Sequence, residues 1–200
     1  MPSWCSNTMY VEDKEFIDKL VRHRNDIGFG LLETFLPTPP PLKHVERAEG
    51  MANGGIVIQY LHEGTEVPLA EQEIKAHKDL YGSVDWSDWQ QQNWGTHLDA
   101  EKLVIELVSD SEAVLRFDTA WSPPVEWLRR ITQGYGGKFL LVYAEGGFGF
   151  WGLARFDEGL EVECWEEGDF WSGQEADDGS QIPSPQVQAF TDKYGLHTGR

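Results

Sequence analysis

The succession of apolar and polar positions divides this chain into elements before any motif is considered. Trp4 to Val11 predicts a short strand, and Glu12-Asp13 the acidic start of a helix to about Arg24, with Phe16, Ile17, Leu20 and Val21 at helical spacing. Asn25 to Gly30 breaks that helix. Leu36 to Leu42 is rich in proline, which lacks a backbone donor and holds the chain near polyproline II, so an extended, stiff connector is expected there. The pattern weakens from Lys43 to Tyr81, where Ile56 to Leu61 reads as a strand or an apolar plug and Leu69 to Leu80 as a helix. Val84 to Asn93 then predicts a short helix carrying Trp86 and Trp89 on one face, with Asn93 helping to end it before Gly95.

The second half is clearer. Leu103 to Val108 and Ala113 to Phe117 are strands joined by a compact Ser-Asp-Ser-Glu hairpin connection. Ser122 is expected to cap a helix that has Pro123 and Pro124 in its first turn and Trp127, Leu128 and Ile131 on its buried face. Phe139 to Tyr143 resumes as a strand, Gly147 to Gly152 leads into another, and Leu160 to Trp165 alternates apolar residues with Glu161 and Glu163. The order implies an α+β, ferredoxin-like split βαβ fold, an antiparallel sheet with two helices on one face and an extra C-terminal β-hairpin. One domain is expected over residues 1–168, with an insertion at 25–83 between the first helix and the second strand. Residues 169–200 are expected to form an irregular acidic tail, with a short helix at Ser184 to Tyr194.

Composition narrows the function classes. With 200 residues, 40% of them hydrophobic, the chain can bury one sizeable core. A formal net charge of -18 argues against direct binding to nucleic acid or anionic lipid and favours a protein partner with a basic surface. Cys5 and Cys164 form no CxxC pair and are read as buried free thiols, not as a disulfide or redox motif. No signal-like or membrane-length apolar segment is recognised, so a cytoplasmic protein is expected.

Three tryptophan-centred phrases stand at predicted strand ends: the start through Trp4, Cys5 and Asn7; Asn93-Trp94-Gly95-Thr96-His97 followed by Asp99-Ala100; and Phe117 to Pro124, which holds Trp121, Ser122, Pro123 and Pro124. With the later Gly-x-Gly-Phe-x-Gly turn, they resemble the YubB-type ferredoxin-like proteins of phages, prophages and conjugative plasmids. Ser3 stands where Asn is more usual and His97 where Lys is expected, while residues 25–82 and the tail after Gly168 lack the family pattern. The resemblance implies a mobile-element protein inside a bacterial host and carries no catalytic residue with it.

The chemistry itself is sparse. His97, Asp99 and Asp118, with Asn93 and Ser122 nearby in sequence, are the acid-base candidates, since a histidine beside carboxylates titrates near neutrality. Each also has a structural explanation as a cap or turn residue. The six histidines lack metal-ligand spacing, and the glycines from Gly146 to Gly152 lack the lysine or following helix of a phosphate loop, so no metal or cofactor is expected. Glu161, Glu163, Glu166, Glu167 and Asp169 form the candidate partner-binding surface; alternate carboxylates on one face of a strand, about 6.5–7 Å apart, approach the spacing of nucleic-acid phosphates. The expected function is thus that of a non-enzymatic phage or mobile-element accessory protein acting by protein–protein binding, in its sharpest form as an acidic DNA-mimic inhibitor of host defence. The alternatives are a small enzyme acting on a nucleotide or protein, and an assembly component.

Overall fold

A computed structural model describes residues 3–49, 56–62, 65–176 and 178–196. His197, one of the six histidines weighed above, lies outside the described residues. In chain order the elements are β1 (Trp4–Glu12), α1 (Lys14–His23), α2 (Leu31–Phe35), β2 (Val45–Glu49), β3 (Ile56–His62), β4 (Thr65–Pro68), α3 (Glu71–Tyr81) and α4 (Trp86–Trp94). There follow β5 (Glu101–Leu107), β6 (Glu112–Ala120), α5 (Val125–Ile131), β7 (Lys138–Glu145), β8 (Phe150–Asp157), β9 (Leu160–Glu167), β10 (Trp171–Glu175), β11 (Gln181–Pro183) and α6 (Pro185–Tyr194). The fold is mixed α+β with antiparallel sheets.

The main sheet has six strands in the order β5-β6-β1-β7-β8-β9, every neighbouring pair antiparallel. Alternation along each strand sends Cys5, Met9, Leu115, Phe139 and Leu141 to one face. There they meet Phe16, Ile17 and Leu20 of α1 and Trp127, Leu128 and Ile131 of α5 in the larger core. Asp13 starts α1 by accepting the Phe16 N–H at 2.7 Å, leaving those apolar positions on the inner face.

Several expectations need correcting. Within the expected 25–83 insertion, residues 31–42 contribute to the core, because Leu31, Leu32, Phe35 and Leu42 are buried in the same cluster as α1 and α5. Pro40–Leu42 forms a single 3-10 turn and is not extended, since Pro fits the first helical positions, where no donor is needed. The chain after Gly168 is not irregular throughout: β10 and β11 pair, and α6 begins at a Ser184 cap followed by Pro185. Helices do not cover one face alone. Phe170, Val187 and Leu196 close a second core against Val142, Trp151 and Leu153 on the opposite face.

Candidate functional site

The tryptophan phrases meet at one end of the main sheet and lock it together. Asn7 is buried, and its amide donates to Thr119 Oγ1 at 2.9 Å and to the Cys5 carbonyl at 2.8 Å. Thr119 in turn donates to the Ser122 carbonyl at 2.8 Å. Thr96 donates to the Ala120 carbonyl at 2.9 Å, and the Ser122 hydroxyl donates to the Gly95 carbonyl. The indoles of Trp94 and Trp127 reach the carbonyls of Leu36 and Leu32 at 2.9 and 3.1 Å, so the 31–36 segment is tied to the Asn93–His97 phrase and to α5. Ser122 therefore serves this knot and does not cap α5, whose N-cap is Pro124. The reason is local: Trp121 sits at φ 62°, a left-handed turn that delays the helix.

The acid-base candidates separate into different tasks. Asp99 accepts the N–H groups of Leu32 and Glu33 at 2.8 and 2.9 Å, capping α2 from far along the chain. It can do so because the cap position itself is Gly30; a Cβ there would overlap the Asp99 carboxylate. Burial pushes the Asp99 carboxyl above its ordinary value, against the pull of its backbone donors. Asp118 is buried and receives the Lys102 ammonium at 2.8 Å, a contact that raises the Lys102 pKa. His97 places Nδ1 2.9 Å from Ser87 Oγ and packs edge-on against Trp121 at 5.6 Å between ring centroids. Asn93 donates to the Trp89 carbonyl at 2.8 Å inside α4, which Gly95 ends in the left-handed conformation. Cavities of about 440, 300 and 270 Å³ are lined by other residues, and none of the three takes in His97, Asp99 or Asp118. Ser87 was not singled out by the sequence, since a serine on a polar helix carries no spacing signal.

The acidic strand β9 lies at the sheet edge, exposed along nearly its whole length. Leu160 and Val162, whose alternation suggests a buried face, are 70% and 50% exposed, and Cys164 is an exposed thiol while Cys5 is buried. The carboxylates do not form the expected single row. A register shift opposite Arg155 and Phe156 places Glu161 and Glu166 on the α5 side and Glu163 and Glu167 on the other, with Trp165 between the latter two. Glu161 pairs with Arg129 at 2.6 Å and Glu163 with Arg155 at 3.1 Å. Glu166 lies beside Tyr143, whose phenol pKa is raised by burial and then by that carboxylate. Glu167 and Asp169 are exposed, and among the described residues no Lys or Arg forms an ion pair with either.

Next to these two acids is a rigid turn. Glu145 is fully buried, and its carboxylate accepts the N–H groups of Gly147 and Phe148 and the Ser3 hydroxyl. The Trp171 indole donates to the Gly146 carbonyl at 3.0 Å, and Gly149 supplies the left-handed residue at φ 79°. Phe148 is held 69% exposed at the tip.

Among the described residues no helix is long and apolar enough to cross a membrane. Residues 93–186 match the family described as the ferredoxin-like domain in Api92-like protein, which supports a ferredoxin-like family for this stretch. The chain is also similar to the crystal structure of a protein api92 from Yersinia pseudotuberculosis, with 12% identity and a TM-score of 0.46 over 84% of this chain and 99% of that one. No curated protein sequence matches.

Proposed function

We propose that this chain is a non-enzymatic accessory protein that binds a protein partner with a basic surface. The observation that carries the reading is the pair of exposed, unneutralised carboxylates Glu167 and Asp169 at the open edge of the sheet, on a chain of net charge -18. Glu161 and Glu163 contribute less, because bound arginines already offset them. The strand order, with α1 and α5 sharing a core, supports a split βαβ core for the ferredoxin-like part. The tryptophan phrases support the YubB-type resemblance and, through it, a role in a phage or plasmid within the bacterial cytoplasm. An inhibitory or assembly task would use the same surface.

Charge reversal tests it. Glu167→Lys with Asp169→Lys is expected to abolish affinity capture of the partner from a bacterial lysate, with circular dichroism unchanged, and wild-type capture should weaken as salt rises. Capture that ignores both the variant and the salt would sink the reading.

A second reading, a small enzyme, has one observation in its favour. Ser87 Oγ and His97 Nδ1 stand 2.9 Å apart, the separation of a nucleophile from its base. If Ser87 is activated, a fluorophosphonate probe labels it and His97→Ala prevents the labelling. The binding reading predicts no labelling at Ser87.

A further inference from the structure

We infer that the acidic end of the sheet is completed by two exposed aromatic rings, Phe148 and Trp121, which receive arginine side chains of the protein partner. This rests on the partner-binding reading above and names the chemistry that the partner presents. Phe148 is no loose loop tip: buried Glu145 holds its N–H, Trp171 holds Gly146, and the ring is still 69% exposed. Trp121 is 38% exposed and sits at φ 62°, a left-handed conformation that a non-glycine residue adopts only when its surroundings hold it there. Its N–H donates to the Ser3 carbonyl at 2.8 Å, and His97 braces its ring edge-on.

Both supports converge on one residue. Ser3 gives its carbonyl to Trp121 and its hydroxyl to Glu145, so the two aromatic residues are anchored at the same end of the sheet. The acids border the Phe148 turn, while Trp121 stands past the end of β6, four strands from β9. Glu167 pairs with Trp151 at the start of β8, and a Cβ at Gly149, beside Phe148, would lie 3.6 Å from Phe170, the neighbour of Asp169.

An exposed aromatic ring beside free carboxylates, as at Phe148, matches a guanidinium better than any other protein side chain. Its planar, weakly hydrated cation stacks on a ring face and donates paired hydrogen bonds to a carboxylate, whereas an ammonium is a point charge that holds its water. A second copy of this chain is a poor occupant, because its net charge of -18 would repel. Rigid aromatics ringed by polar groups are also the usual anchors of protein interfaces.

Two peptides of equal length, one alternating arginine with glycine and the other lysine with glycine, separate the contributions. Isothermal titration of wild type is expected to show the arginine peptide binding roughly two- to fivefold tighter, the range of an exposed cation–π contact. Phe148→Ala and Phe148→Leu should both remove that preference with the melting temperature unchanged. Leucine keeps the apolar surface and loses the π face. Glu167→Gln with Asp169→Asn should weaken both peptides alike. Equal binding of the two peptides to wild type, with no response to Phe148 variants, would overturn the aromatic part and leave the acidic surface standing. If neither peptide binds, or binding ignores the acidic variant, the partner-binding reading falls as well.

Discussion

Replacing Glu145 by alanine is expected to lower the unfolding free energy by about 3 kcal/mol, since each buried donor left without an acceptor costs on the order of 1–3 kcal/mol. Three donors depend on this carboxylate: the backbone N–H groups of Gly147 and Phe148 and the Ser3 hydroxyl. Ser3 and the turn lie near solvent, so water recovers part of the loss, which is why the figure stays at the low end of the summed range. Urea titration should show a lower midpoint with an unchanged slope, the signature of lost stability without a changed fold. Hydrogen exchange at the Gly147 and Phe148 amides should accelerate in parallel. Glu145→Gln keeps one acceptor oxygen and should fall between wild type and alanine. A Glu145→Ala protein as stable as wild type would show that the turn does not depend on this group.

The second large effect is at Asp99. A five-residue helix such as α2 cannot form alone, and Gly30 gives it no side-chain cap. Asp99→Ala removes the acceptor for Leu32 and Glu33 and is expected to cost about 2 kcal/mol, the upper range for a cap. The pH dependence carries a sign that distinguishes the mechanism. Burial raises the Asp99 carboxyl above its ordinary value of 3.8, so the folded chain holds this proton more tightly than the unfolded one. The Asp99 contribution is therefore fullest below that ordinary value and declines as pH rises through the raised one. Urea titrations across the acidic range should show the stability gap between wild type and Asp99→Asn narrowing as pH increases. A widening gap would mean that the backbone donors outweigh burial.

How much of this was legible in the chain follows from the reach of each signal. The β1 strand, the α1 helix with its Asp13 cap and the β5-β6 hairpin depend on neighbours in sequence, and periodicity found them. The α2 helix is too short for a period to show, and its cap arrives from Asp99, 67 residues away for the Leu32 bond. The α6 helix buries only Val187 and Thr191 among polar neighbours, so nothing in its pattern announces that it closes the second face. In β9, Leu160 and Val162 alternate as a buried strand would, yet the strand is at the edge with little to cover it. The bulge that splits the glutamates between two faces depends on pairing with β8 and is invisible in one strand.

The candidate site was partly legible for the same reason. Charge alone marks Glu167 and Asp169, whereas Phe148 is only the first unspecified residue of the Gly-x-Gly-Phe-x-Gly turn. Its exposure depends on Glu145, Ser3 and Trp171, which come together from three parts of the chain. His97 and the two aspartates were grouped by sequence proximity, and the fold gives each a separate partner.

The most direct measurement of the central claim is a nuclear magnetic resonance titration of isotope-labelled wild-type protein with the arginine–glycine peptide. Shifts concentrated at Phe148, Glu167, Gly168, Asp169 and the Trp121 indole, fading as salt is raised, are the predicted result. Shifts confined to α3 and the β2-β3-β4 sheet, or none anywhere, would contradict it.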